Sequence, residues 1–138
     1  MVRGQVALPF VLLIGGIVAE IVIAGSVASF FMSSRTLGEQ LMLRSLSAAY
    51  TGVHDGIVRI SSNKELAASG DVSYSVSVGD DSVDVVISRS TDSTNGVYVF
   101  TISATASARL RRRKVVAKVV VDQTTGVLDV ASVSEQAL

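Results

Sequence analysis

Val6–Met32 reads VALPFVLLIGGIVAEIVIAGSVASFFM, 27 residues with one charged side chain, Glu20. A hydrocarbon layer about 30 Å thick is crossed by roughly 20 apolar residues at about 1.5 Å each, so the stretch is long enough to span with some tilt. Three readings compete. A secretory signal has an apolar region of about 7–15 residues and a small-residue cleavage site. Ser26-Val27-Ala28 offers such a site, but the apolar run is too long and the leader too thin. A buried core helix needs apolar cover on every side. The chain has 138 residues, and the roughly 110 outside the span make one small domain that cannot supply that cover. A retained membrane helix is the expectation. Arg3 and the α-amine favour a cytoplasmic N-terminus, with the C-terminal part outside, although Arg35 and Arg44 flank the other end.

Within the span, Pro9 is tolerated in a first turn, where amides lack intrahelical acceptors. Gly15, Gly16 and Gly25 weaken a helix in water but let another helix approach closely in lipid. Glu20 is the expensive residue. A carboxylate near the bilayer centre costs on the order of 2.5–3.5 kcal/mol, so it is expected to be neutral, paired, or turned towards another subunit. A purely local partner, such as Ser26 or a backbone carbonyl, is the structural alternative.

Beyond Met32 the pattern changes. Leu37, Leu41, Leu46, Ala49, Val53, Ile57 and Ile60 fall at helical spacing, with Glu39, Arg44, Asp55 and Arg59 on other faces. Asp55 and Arg59 stand four apart in the favourable order. Ser34 would cap a second helix, so a break near Ser33–Thr36 is open. Taken as continuous, Val6–Ile60 makes about 80 Å of helix. Ser61-Ser62-Asn63 ends it, with a short turn of helix expected at Lys64–Ala68.

Strands follow. Val72, Tyr74, Val76 and Val78 alternate with Ser73, Ser75 and Ser77, the pattern of a half-buried strand. Gly79-Asp80-Asp81 is a turn, and Val83–Ser88 the return arm. Ser90–Gly96 reads as a polar loop. Val97–Ala106 is a third strand with Tyr98, Phe100, Ile102, Ala104 and Ala106 on one face. Arg109–Lys114 reads as a connection or strand end. Val115–Val121 is the fourth strand, and Val127–Val133 the fifth. Short connections imply an antiparallel meander, and its apolar face needs the amphipathic helix as cover. The expected fold is therefore α+β: a span over residues 5–32, an amphipathic half-helix over 33–62, and a sheet of four to five strands over 63–138, behind a leader of residues 1–4.

The zero net charge hides two blocks. Residues 62–100 carry Lys64 and Arg89 against Glu65, Asp71, Asp80, Asp81, Asp84 and Asp92; residues 101–121 carry Arg109, Arg111, Arg112, Arg113, Lys114 and Lys118 and no acid. Arg109, Arg111, Arg112, Arg113 and Lys114 suit phosphates, whether of DNA or of anionic surface polymers, but without interleaved aromatics they do not suit base stacking. A solvated loop partly neutralised by Asp80, Asp81 and Asp84, and a contact between subunits, are the other readings. On a strand, Arg111 and Arg113 would face one way and Arg112 and Lys114 the other. The acidic turn lacks the ligand ladder and closing Glu of a calcium loop. With no Cys, disulfides and thiolate metal sites are excluded. His54 has no catalytic neighbour at any recognised spacing, and there is no P-loop or dinucleotide fingerprint. No enzymatic activity, cofactor or metal is expected.

Arg3-Gly4-Gln5-Val6-Ala7-Leu8 followed by Leu12-Leu13-Ile14 matches a run of the form RGxALxxxLLxL. Leu46-Ser47-Ala48-Ala49-Tyr50-Thr51-Gly52-Val53 is a helix segment of alanines closing on Ala-x-x-Gly-hydrophobic. Tyr98–Thr105, then basic residues and a valine strand, forms a third, weaker patch. Together with the layout, these patches make a chain that resembles the bacterial type IV pilin and type II secretion pseudopilin superfamily, closest to tip-type minor pilins. The resemblance covers nearly the whole chain. It implies cutting by a prepilin peptidase between Gly4 and Gln5, often with methylation of the new N-terminus. It also implies extraction from the membrane into a filament whose centre is packed with apolar half-helices. The implied partners are the membrane, the peptidase, the assembly machinery and other pilin subunits.

The chain departs from the pattern at one position. Major pilins carry Glu fifth after the cut, where it meets a neighbour's amine; counted from Gln5, the fifth residue is Pro9. Certain tip pseudopilins lack that Glu. A cut after Gly15 would put Glu20 fifth, but it would leave a mostly apolar leader and a span of 17 residues, Gly16–Met32, at the short limit. In the favoured register Glu20 has no family role and is expected to meet a polar group of an adjacent subunit. The competing class is a single-pass, membrane-anchored extracytoplasmic binding or adhesion module that does not polymerise; a third is a secreted β domain whose apolar helix is removed.

Overall fold

The computed structural model describes residues 7–138, with backbone only at residue 137. One helix, α1, runs Ala7–Ser62, followed by β1 (Val72–Val78), β2 (Asp81–Asp92), β3 (Val97–Ala108), β4 (Arg111–Asp122) and β5 (Leu128–Ala137). The architecture is α+β, a long N-terminal helix packed on a five-stranded antiparallel sheet in the order β1-β2-β3-β4-β5. The helix passes through Ser33–Thr36 without a break, so Ser34 lies inside it and caps no second helix; the Thr36 hydroxyl donates back to the Met32 carbonyl at 3.0 Å. The chain divides into two compact units between Gly38 and Glu39.

In the first unit every large apolar side chain from Leu8 to Met32 is exposed, at 48–72%. Ser26 donates its hydroxyl to the Val22 carbonyl at 2.8 Å, so this polar group is satisfied within the helix itself. The helix is long and apolar enough to cross a membrane.

In the second unit an apolar core lies between the helix and one sheet face. Val83, Val85 and Ile87 of β2, Phe100, Ile102, Ala104 and Ala106 of β3, and Val115, Ala117, Val119 and Val121 of β4 are buried there. The register places them in cross-strand rows such as Val85–Ala104–Val115 and Ile87–Ile102–Ala117, as period-two alternation requires. The opposite face carries Ser73, Ser75, Thr101, Ser103 and Thr105.

The helix stripe keeps Ala49, Val53 and Ile60 of the expected one and adds small residues beside them. Its buried positions are Ser45, Ala48, Ala49, Gly52, Val53, Gly56 and Ile60, while Leu46 and Ile57 are only partly buried and Leu37 is exposed. Branched side chains on the sheet fill the space between the layers, so the helix meets them with its smallest residues.

Strand ends also shift. The segment expected as a loop from Ser90 is ladder as far as Asp92, because Ser90, Thr91 and Asp92 pair with Val99, Tyr98 and Val97. β4 starts at Arg111 rather than Val115, and β5 continues past Val133 to Ala137. The β2–β3 and β4–β5 turns share one design. Asp92 Oδ1 accepts from the amides of Thr94 and Asn95, and Asp122 Oδ1 from those of Thr124 and Thr125. Gly96 and Gly126 then take positive φ (64° and 72°). Lys64–Ala68 forms two successive turns, closed by Leu66 N to Asn63 O and Ala68 N to Glu65 O, in place of the short helix.

Candidate functional site

The basic cluster lies on a tight hairpin. β3 ends at Ala108 and β4 begins at Arg111, and these two residues are paired, so the turn is Arg109-Leu110 alone. Arg109 adopts φ 52°, a left-handed conformation that costs a residue with a Cβ about 1 kcal/mol or more. The β1–β2 turn is equally short, and there the same place is held by Gly79 at φ 61°. Leu110 at the tip is 97% exposed.

From Arg111 onward the cluster belongs to β4, not to a connecting loop. Arg113 lies on the core-facing side with Val115, and its guanidinium donates to Met42 Sδ on the helix. Arg112 and Lys114 lie on the other face, opposite Ser107 and Thr105. Arg109, Arg111 and Arg112 are exposed, and Arg113 and Lys114 half-buried.

The acidic hairpin makes no ion pair with this cluster. Asp81, 8% exposed, accepts from Arg44 Nε at 2.6 Å, and Asp80 lies 3.5 Å from the same guanidinium. Asp81 is the first cause of the raised Arg44 pKa. Among the described residues the ion pairs use Arg44, Arg59 and Arg89, and none of the five clustered cations has a carboxylate partner. Arg44, Asp80, Asp81 and Arg109 line one concavity, and Met42, Leu110, Arg111 and Arg113 line its neighbour. The clustered charge therefore stands at the end of the head where the helix enters the unit.

Two clasps of the same composition hold the remainder of the head. Arg59 stacks over the Tyr74 ring at 4.0 Å and pairs with Asp55 at 2.8 Å; Arg89 stacks over Tyr98 at 4.3 Å and pairs with Glu65 at 2.9 Å. Each joins a cation–π contact to a charge-assisted hydrogen bond. The guanidinium partners hold the carboxyls of Asp55 and Glu65 below their ordinary values. Tyr74 is pushed up to about 12, first by burial and then by the facing Asp55 carboxylate. Its hydroxyl is buried, and Asp55 falls short of hydrogen-bond geometry to it. At the far edge Tyr50 donates to Glu135 at 2.7 Å, tying β5 to the helix.

Of the remaining sequence candidates, Gly4 and Gln5 lie outside the described residues. Glu20 is exposed on the helix, and Ser26, the local partner considered for it, is committed to Val22. His54 is exposed. Among the described residues no group of three or more His, Asp or Glu side chains is placed to hold a metal ion.

The sequence assigns neither Leu110 nor Arg44 to a site. Strand parity carried a signal for the first: alternation carried forward from Ala106 to Ala108 and back from Val115 to Arg111 leaves two residues for the turn. Nothing local marks Arg44, whose partners are 36 and 37 residues away. Comparison with protein-family models, with curated proteins and with solved structures gives no match.

Proposed function

We propose that this chain is a non-enzymatic structural subunit, a minor pilin or pseudopilin, of a type IV pilus-like filament. It is made as a single-pass protein of the cytoplasmic membrane with its N-terminus inside, is cut by a prepilin peptidase between Gly4 and Gln5, and is then drawn into an extracellular filament. The observation that carries this reading is the all-round exposure of the apolar side chains from Leu8 to Met32 on the same continuous helix whose later turns close the core of the head. A helix apolar on every side needs an apolar surrounding. Lipid supplies it before assembly, and neighbouring helices would supply it afterwards. Small residues at Gly15, Gly16 and Gly25, with nothing within 4 Å of a Cβ placed on them, leave room for close helix approach.

The second reading, an anchored module that never polymerises, draws on Pro9, which stands fifth after the cut where main pilin subunits carry Glu. Shearing of the native cells separates the two. A filament subunit is released with the sheared surface fraction and is retained, unprocessed, when the peptidase is deleted. A static anchor stays with the membrane in both strains.

A further inference from the structure

We propose that the β3–β4 hairpin tip is a binding site for the headgroups of anionic phospholipids, with Leu110 entering the interfacial layer and Arg109, Arg111 and Arg112 holding phosphates. The inference rests on the reading of Val6–Met32 as a membrane span.

Four observations converge. Leu110 is 97% exposed at a two-residue turn, flanked on both sides by arginines; an apolar tip ringed by cations is the composition that partitions into the headgroup region. Among the described residues Arg109, Arg111 and Arg112 form no ion pair within the fold, and Arg44 takes Asp81 at 2.6 Å and Asp80 at 3.5 Å. Arg109 holds a left-handed φ of 52° where the matching turn carries glycine, so a cationic side chain is kept there against the local backbone preference. The fourth observation is reach. Arg113 touches Met42, ten residues after Met32, the last residue of the apolar run. Even fully extended, ten residues reach at most about 35 Å. A tether that short gives the tip a high effective concentration at the leaflet the helix leaves, where anionic headgroups within a Debye length of about 8–10 Å attract the clustered guanidiniums. DNA fits less well: no aromatic ring lines either concavity, and a protruding leucine gains nothing from a phosphate backbone. The contact would hold the subunit in the membrane pool and be given up on extraction.

The chain has no Trp, so a single introduced indole reports its own surroundings. Full-length protein carrying Leu110→Trp is reconstituted in nanodiscs of phosphatidylcholine alone, or of phosphatidylcholine with phosphatidylglycerol, each with and without brominated acyl chains. The expected result is blue-shifted, bromine-quenched emission only in the phosphatidylglycerol discs. High salt, and Arg111→Glu with Arg112→Glu in the same background, should both reverse it. Water-like emission in both disc types overturns the site, as does equal quenching in both. So does a shift produced by duplex DNA in phosphatidylcholine discs with none from phosphatidylglycerol. Phe31→Trp, measured in parallel, reports the span. It should be quenched in every brominated disc, and its failure overturns the membrane-span reading whatever Leu110→Trp shows.

Discussion

Gly52 lies so close to Val83 that a Cβ built on the glycine would stand 2.6 Å from Val83 Cγ1, with Val85 Cγ2 and Ala104 Cβ each at 3.1 Å. One turn on, a Cβ at Gly56 would meet Ile102 Cγ2 at 2.9 Å. Two glycines mid-helix lose roughly 1 kcal/mol each in propensity, and the fold accepts that loss to bring the helix axis down onto branched side chains. Gly52→Ala should therefore destabilise the head by about 1–2 kcal/mol, overpacking outweighing the gain in propensity. Denaturant unfolding followed by circular dichroism checks this. Gly16→Ala, with open space around it, should leave the midpoint unchanged.

That contact also shows where sequence reading stops. The long helix, an apolar half long enough to cross a membrane, the five strands and the core faces of β2 and β3 follow from hydropathy and period. The expected helix stripe holds at Ala49, Val53 and Ile60 and misses Gly52 and Gly56, which a search for large apolar residues passes over because they matter through what they lack. The basic cluster was legible as composition, but not as a hairpin tip. Its strand character depends on ladder bonds of Arg111–Lys114 to Ala108–Thr105, and local propensity carries no record of those. The partnership of Arg44 with Asp81 is purely tertiary.

Acid should loosen the head through its carboxylates. Asp92 and Asp122 are held below their ordinary value of 3.8, first by the side-chain amide of Asn95 and the Thr125 amide respectively. Asp55 and Glu65 are held low by Arg59 and Arg89. Groups with a depressed folded pKa stabilise fully above the unfolded values, 3.8 for Asp and 4.5 for Glu, and lose that contribution as pH falls through the folded ones. The unfolding midpoint should be flat from neutral pH down to these values and fall below them. Asp92→Asn with Asp122→Asn should flatten the fall, as a pH series of melts would show.

Tyr74 sets the alkaline side. Its pKa rises from 10.0 to about 12, so its contribution is complete below the unfolded value and is lost as pH climbs towards the folded one. Tyr74→Phe should remove that alkaline loss. At neutral pH it should cost nothing or stabilise slightly, because the buried hydroxyl has no partner to lose. The ring and its contact with Arg59 are retained.

Glu20 tests assembly. If it meets a polar group of a neighbouring subunit, Glu20→Gln should lower incorporation into filaments several-fold while membrane levels stay constant. Quantitative blotting of the sheared and membrane fractions reads both. Unchanged incorporation removes the inter-subunit role.

The most direct measurement is the N-terminal sequence of the protein isolated from its native membrane. Processing as a filament subunit requires a mature chain beginning at Gln5. A chain beginning at Met1 contradicts it in favour of a static anchor, and one beginning at Ser29 contradicts it in favour of a secreted β domain released from its apolar helix.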